Sequence, residues 1–430
     1  MNILHLNTYT QKKNLTFPHY QFHKELLEKG HNSLIFTAKT DVFEKEIKSF
    51  KSNIFRKHFG LSRYIRKIVF EMLLNNNDNY YYPEWNLDNI KLKSIISEIP
   101  FVPDVIILYW TKFAFNQKMI YELSKIFDAP VICFMMDMAP LTGGCHYSFD
   151  CERYHEQCGM CPALNSRKEK DLSNRTWEYK KRYIEKTNIS YIAASSTLYN
   201  QAHRSNLLSN KDIYRLMLGV SEKVFINHNK LDARKSLSID IRKKVIFFGA
   251  SSLVEKRKGL KYLVEALELI SKNESKKFSN SDVLVLIAGS KFDQIEIPFE
   301  YKYLGYLSTE NELALAYQAS DLFVCPSIED SGPLMISQAI MCGRPVVSFD
   351  MGIAPDLITN DETGYIAKIK DSGDLAYGLE RVLSLNETDW VEMSKTCREI
   401  GLRECSANNT TDKLLEIIDE ILLKNKGERL

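Results

Sequence analysis

Val324-Cys-Pro-Ser-Ile-Glu-Asp-Ser-Gly-Pro-Leu-Met-Ile-Ser-Gln-Ala-Ile-Met-Cys-Gly-Arg-Pro-Val-Val-Ser348 reads as strand, polar loop, helix, turn and strand. Leu322-Phe-Val-Cys325 is a short apolar run of the kind that fills a buried parallel strand, and Pro326 ends it. Glu329, Asp330 and Ser331 then lead into Gly332-Pro333, and proline suits a first helical position because its missing N–H would have had no partner there. The unpaired N–H groups of the first turn, from Leu334 onward, favour an anion beyond the strand end. Gly332 places no side chain in the way.

Outward from this stretch the same alternation continues, as stacked βα units should. In the second half, Lys244–Gly249, Val283–Ala288 and Tyr303–Tyr306 read as strands, and Gly259–Ile270, Glu310–Ala319 and Asp374–Leu383 as helices. In the first half, Met1–Asn7, Ser33–Thr37, Val105–Tyr109, Val131–Met135 and Tyr191–Ala194 read as strands, with an amphipathic helix over Tyr20–Lys29 ended by Gly30. Ligands of open α/β sheets bind beyond the carboxyl ends of the strands, which makes Asn7, Trp110, Asp137 and Ser195 candidate cleft residues by position.

A chain of 430 residues is too long for one ordinary core, so two domains are expected. Hydrophobic content of 44% and charged content of 26% are those of a soluble globular protein. A formal net charge of +2 gives no global case for a nucleic-acid partner. No run approaches the roughly 20 apolar residues of a membrane span, and the opening Met1-Asn-Ile-Leu-His-Leu6 looks like a strand, so a cytoplasmic protein is expected.

The opening stretch resembles the donor-site motif of the GT-B glycosyltransferases, in particular the retaining glycosyltransferase family 4, whose pattern is Pro-Ser-x-x-Glu-x-x-Gly-x-x-x-x-Glu-Ala-x-x-x-Gly-x-Pro-Val-Val. Pro326, Ser327, Ala339, Gly343, Pro345, Val346 and Val347 match it, whereas Asp330, Pro333 and Gln338 stand where the family has Glu, Gly and Glu. A slip of one residue would put Glu329 and Gly332 in register instead. The resemblance implies that Glu329 or Asp330 contacts the donor sugar and that Gln338, whose amide offers donor and acceptor, meets the ribose.

The resemblance continues in order through Leu218-Gly-Val-Ser-Glu-Lys-Val-Phe225, a linker, and Val245-Ile-Phe-Phe-Gly-Ala-Ser-Ser-Leu-Val-Glu-Lys-Arg-Lys-Gly-Leu260, a strand ending at Gly249 followed by a basic loop and a helix start. It runs on through Gly352 and Thr363-Gly-Tyr365. Lys258 matches the family's diphosphate lysine, while Ala250 occupies its arginine position, with Arg257 or Lys256 as the alternative cation. A departing nucleoside diphosphate gains charge as the glycosidic bond breaks, so a fixed cation there stabilises the transition state.

The resemblance implies an α/β GT-B fold of two Rossmann-like doubly wound domains facing a cleft: an acceptor domain over 1–215, a nucleotide-sugar domain over 216–405, and a helix over 406–430 crossing back. The implied reaction is hexosyl transfer with retention from a UDP- or GDP-sugar to a saccharide or lipid-linked saccharide in surface polysaccharide synthesis, with no catalytic metal. Lys258, Glu329, Asp330 and Asp137 are the catalytic candidates, and Gly249, Arg257, Lys258, Ser331, Gly332, Pro333, Leu334 and Gln338 those for the nucleotide sugar. Ala250, Gln338 and the absence of a Gly-Gly loop in Asn7–Asn14 leave a second reading open, a weakened protein that binds a nucleotide sugar or a partner.

Two further segments stand apart. Cys145, Cys151, Cys158 and Cys161 follow a C-x5-C-x6-C-x2-C spacing that offers four thiolates for a structural zinc, with His146 or His155 as spare ligands. Their loop, from Met136-Asp-Met-Ala-Pro140, resembles a signature of bacterial family 4 enzymes of capsular and exopolysaccharide clusters. Lys45 to Lys67 mixes Lys and Arg with Ile and Phe, a composition suited either to a helix pair with one wet face or to an anionic membrane surface, and the latter would place the protein on the inner face of the plasma membrane.

Overall fold

The computed structural model describes residues 1–11, 17–50, 81–82, 92–273, 278–291 and 296–427. They group into two units, one of Met1–Ala194, Leu198–Leu216 and Thr411–Leu430, the other of Ser195–Thr197 and Met217–Thr410.

The first unit is built on a seven-stranded sheet of β1 (Asn2–Thr10), β2 (Asn32–Thr40), β3 (Ile47–Ser49), β4 (Val105–Leu108), β5 (Val131–Met135), β6 (Ile189–Ala193) and β7 (Ile213–Arg215). Their order is β3-β2-β1-β4-β5-β6-β7, and every neighbouring pair is parallel. Val-Ile-Ile-Leu in β4 and Val-Ile-Cys-Phe-Met in β5 are buried at every position, as central strands of a parallel sheet require. The connecting helix Gln117–Phe127 is bounded by local chemistry. Asn116 caps it by accepting from the Met119 N–H, and Asp128 ends it at φ 51°.

The second unit repeats this winding with β8 (Lys244–Ser252), β9 (Val283–Ser290), β10 (Glu300–Gly305), β11 (Leu322–Cys325), β12 (Val346–Phe349) and β13 (Gly364–Ala367), in the order β10-β9-β8-β11-β12-β13. Successive residues of β8 serve opposite faces: Val245 and Phe247 join one apolar core with Leu284, Leu286 and Phe323, while Ile246 and Phe248 join another with Val283, Val285 and Val324. Strand order reverses between β8 and β11, and an open sheet of this kind leaves its ligand crevice at the carboxyl ends of the strands flanking that reversal.

A buried charge cluster ties the β8 and β11 starts to the helix Lys230–Ser236. The Asp321 carboxylate accepts from Arg234 Nη2 at 2.7 Å, Lys230 Nζ at 3.0 Å and the Val245 N–H at 2.6 Å. Burial alone would raise its carboxyl pKa, yet the two cations and the N–H outweigh burial and leave it lowered.

His5, His19 and His23 are buried in the first unit as neutral rings. His23 Nδ1 and His5 Nε2 share the Ser33 hydroxyl at 2.7 and 3.0 Å, and His19 Nε2 meets Thr10 Oγ1 at 3.1 Å. Burial first, then neighbouring positive charge, lowers His19 to about 3 and His23 to about 4, and holds His5 well below its ordinary value. Between about pH 6.5 and 4 the unfolded chain therefore binds protons that the folded chain does not, so stability is full above that window and falls with pH through it. Thermal unfolding at pH 7.5 and pH 5 should show a melting temperature lower at pH 5, and equal values would mean that these rings are charged in the fold.

Within the basic stretch from Lys45 to Lys67, Ile47 and Phe50 are buried and Lys48 lies on β3, while 51–67 fall outside the described residues, as do 12–14 of the loop after β1. Among the described residues no helix is long and apolar enough to cross a membrane.

Candidate functional site

In the second unit two loops leave the adjacent strands β8 and β11 and meet at the point where strand order reverses. After β8 the chain forms a single tight turn over Lys256–Lys258, closed by the Lys258 N–H on the Glu255 carbonyl at 2.9 Å. Gly259 follows at φ 75°, and a Cβ there would sit 1.7 Å from the Pro326 carbonyl oxygen, so only glycine permits this approach of the two loops. The Ile328 N–H donates to the Arg257 carbonyl at 2.8 Å and completes the seam.

The side chains then converge. Lys258 Nζ lies 2.6 Å and Arg257 Nη1 2.9 Å from the same oxygen, Oδ2 of Asp330. Arg257 Nη1 also donates to the Glu329 carbonyl at 3.2 Å, and its Nε pairs with Glu255. The other Asp330 oxygen faces the Gly332 N–H at 3.4 Å. Burial pushes the Asp330 carboxyl up, but Lys258, Arg257 and the Gly332 N–H prevail and bring it down to about 2. It is a carboxylate at any ordinary pH.

Beyond this cluster the chain enters the helix Leu334–Met341, with Pro333 as its cap at φ −65° and not as its first helical residue, which corrects the expectation by one position. Ser331 is buried, its carbonyl accepting from Ser195 Oγ at 2.6 Å. Gly352, at φ 58°, seats the turn after β12 against this loop, since a Cβ there would lie 2.9 Å from both the Asp330 carbonyl and the Pro333 ring. Gly249 is within β8 under the Met335 side chain. Gln338 is buried, and its Oε1 faces the Tyr317 hydroxyl at 3.4 Å. The structure thus brings Arg257, Lys258, Glu329, Asp330, Ser331, Gly332 and Pro333 together where the two loops meet.

Asp137 belongs to the first unit, two residues beyond β5. There it has a partner the sequence did not suggest: His146 Nδ1, 2.5 Å from its Oδ2, while its Oδ1 accepts from the Ala139 N–H at 2.8 Å. The desolvation that would raise its carboxyl is outweighed by His146, the Ala139 N–H and Lys112, so the pKa is lowered. His146 is packed against Tyr82 and Trp110. Asn7 accepts from the Trp110 N–H through its Oδ1 at 3.1 Å.

The four loop cysteines line one small enclosure with Thr142, Tyr154 and Ser173. Hydrogen bonds engage all four sulfurs: Cys145 with Cys161, Cys151 as acceptor of the Arg153 N–H, and Cys158 as acceptor of the Gly143 N–H at 3.2 Å. The Cys145 bond lowers the Cys161 thiol to about 7, and burial raises Cys158 to about 12. Among the described residues no group of three or more His, Cys, Asp or Glu is found that could hold a metal ion.

Two parallel-sheet units of Rossmann type define a GT-B α/β architecture. Residues 229–401, within the second unit, match the family described as glycosyl transferases group 1. Sucrose-phosphate synthase from Thermosynechococcus elongatus superposes with a TM-score of 0.68 at 15% identity, over 99% of this chain and all of that one. HepE of Anabaena, solved with UDP and glucose, does so with a TM-score of 0.62 at 13% identity, over 98% of this chain and 100% of that one. The N-acetyl-alpha-D-glucosaminyl L-malate synthase of Bacillus anthracis is 25% identical over 243 residues, 55% of this chain. That match spans 61% of the relative, less than two thirds of its length.

Proposed function

We propose that this chain is a retaining glycosyltransferase of family 4 that moves a hexosyl unit from a UDP- or GDP-sugar to a saccharide or lipid-linked saccharide, in surface polysaccharide synthesis. The observation that carries the reading is the convergence of Lys258 and Arg257 at the carboxyl ends of β8 and β11, where strand order reverses. In this reading Lys258 and Arg257 hold the diphosphate, Gly332 to Leu334 approach it as backbone, and Glu329 or Asp330 meets the sugar. Gln338 would reach the ribose by turning its amide away from Tyr317. Asp137, held by His146, serves the acceptor in the first unit. The group 1 match and a structural relative solved with UDP and glucose support the donor class.

A thermal-shift panel of UDP-, GDP- and ADP-sugars tests it. A true donor at about 100 times its Kd should stabilise the protein by about 2.7 kcal/mol, and a Lys258→Ala variant should lose that shift. If no nucleotide sugar shifts the melting temperature, the donor assignment is wrong. The occupied state of the two cations favours a second reading, a protein that binds nucleotide sugar weakly and transfers nothing. Detectable hydrolysis of a nucleotide sugar, or a product formed on a lipid-linked saccharide, would exclude it.

A further inference from the structure

The two cations assigned to the diphosphate already share an anion. Lys258 Nζ and Arg257 Nη1 lie 2.6 and 2.9 Å from one and the same oxygen of Asp330, in a cluster where each of these side chains is largely buried. Around them Lys256, Arg257 and Lys258 are matched by Glu255, Glu329 and Asp330, so the formal charge of the two loops cancels. A diphosphate reaching the Lys258 ammonium while Asp330 stayed in place would put two anions on one cation at contact distance, and like charges so close are strongly disfavoured.

We propose that Asp330 is the resident counter-ion of the Lys258–Arg257 pair, a carboxylate that stands where the diphosphate will bind and gives up both contacts when it arrives. This rests on the donor reading above and deepens it. Held on Asp330, the two cations keep their positions without a ligand, and the Gly332 N–H on the second oxygen fixes the carboxylate in turn. When the diphosphate leaves after transfer, Asp330 is at hand to take the cations back, so the residue weakens the hold on product. Asp330 is then a positioning residue, and Glu329, whose carbonyl steadies Arg257, is the acid assigned to the sugar.

Asp330→Asn keeps the size and hydrogen-bonding reach of the side chain and removes its charge. Calorimetric titration with UDP, GDP, ADP and inorganic pyrophosphate, at low and high salt, is compared between wild type and variant. The expected result is a roughly tenfold lower Kd in Asp330→Asn for pyrophosphate and for whichever nucleotide binds the wild type, the low end of measured couplings between close charges. The gain should shrink at high salt and vanish in the double variant with Lys258→Ala. An ion pair that merely braced the loop would give the opposite sign, because its removal would loosen the site. Unchanged or weaker binding in a folded Asp330→Asn, or in Asp330→Ser should the first variant not fold, overturns the proposal. If none of the four compounds binds the wild type, the donor reading itself fails, whereas binding without the gain removes only the counter-ion.

Discussion

Replacing Lys258 by alanine is expected to lower glycosyl transfer on the order of 10²-fold or more, by analogy with other preorganised charge-stabilising groups. The turn at 256–258 is closed by its own backbone bond and tied to the β11 loop by the Ile328 N–H on the Arg257 carbonyl, and Asp330 holds the ammonium before any ligand arrives. A cation fixed in advance meets the charge that develops on the departing diphosphate without reorganising, and its loss should appear mainly in kcat. Lys258→Arg keeps the charge with a different reach and should fall between the two. The measurement is kcat and KM with a donor identified by thermal shift, alongside far-UV circular dichroism. Wild-type turnover in a folded Lys258→Ala would remove this residue from the diphosphate.

The largest expected loss of stability lies at the other end of the same strands. Asp321→Ala would take from the Arg234 guanidinium, itself buried, the carboxylate it pairs with, and from Lys230 and the Val245 N–H the acceptor they share. Breaking a buried pair by removing one partner typically costs about 3–5 kcal/mol, more than a conservative core truncation of similar size. For a unit of this size that corresponds to a fall in melting temperature of roughly 10 °C. Arg234 retains the Ala319 and Ile241 carbonyls at 3.0 and 2.8 Å, which orient it but bring no charge. Asp321→Asn should recover part of the loss by restoring one acceptor. Because the Asp321 carboxyl is lowered in the fold, the stability it contributes is present above the ordinary carboxylate range and disappears as pH falls below it. A shift of under about 2 °C in Asp321→Ala would show that the cluster is solvated.

The central strands were legible because parallel strands buried on both faces leave short continuous apolar runs, as in Val131–Met135 and Leu322–Cys325. Three of the four edge strands were not. Ile47–Ser49 and Ile213–Arg215 are three residues long and half polar, and Gly364–Ala367 opens on a glycine that reads as a turn. Sequence also pointed to the basic turn and to the acids before Pro333, yet not to their mutual pairing, since Lys258 and Asp330 are joined only by the adjacency of β8 and β11. The Asp137–His146 pair was hidden for the related reason that an irregular loop has no period from which to infer which side chains meet. The cysteine spacing signalled that four thiols would gather, but not the hydrogen bonds they make among themselves and with the backbone.

The contact of Gly259 with the Pro326 carbonyl bears on how such a protein can change. It lets the far end of the basic turn lie against the β11 loop, while the Glu255 carbonyl closes the turn at its near end. Changes at the exposed Val254, between the end of β8 and the Glu255 that closes the turn, can therefore accumulate without displacing Lys258. On the donor reading proposed above, innovation in what is recognised beside the phosphates has a place to occur while the Lys258 charge stays where it is.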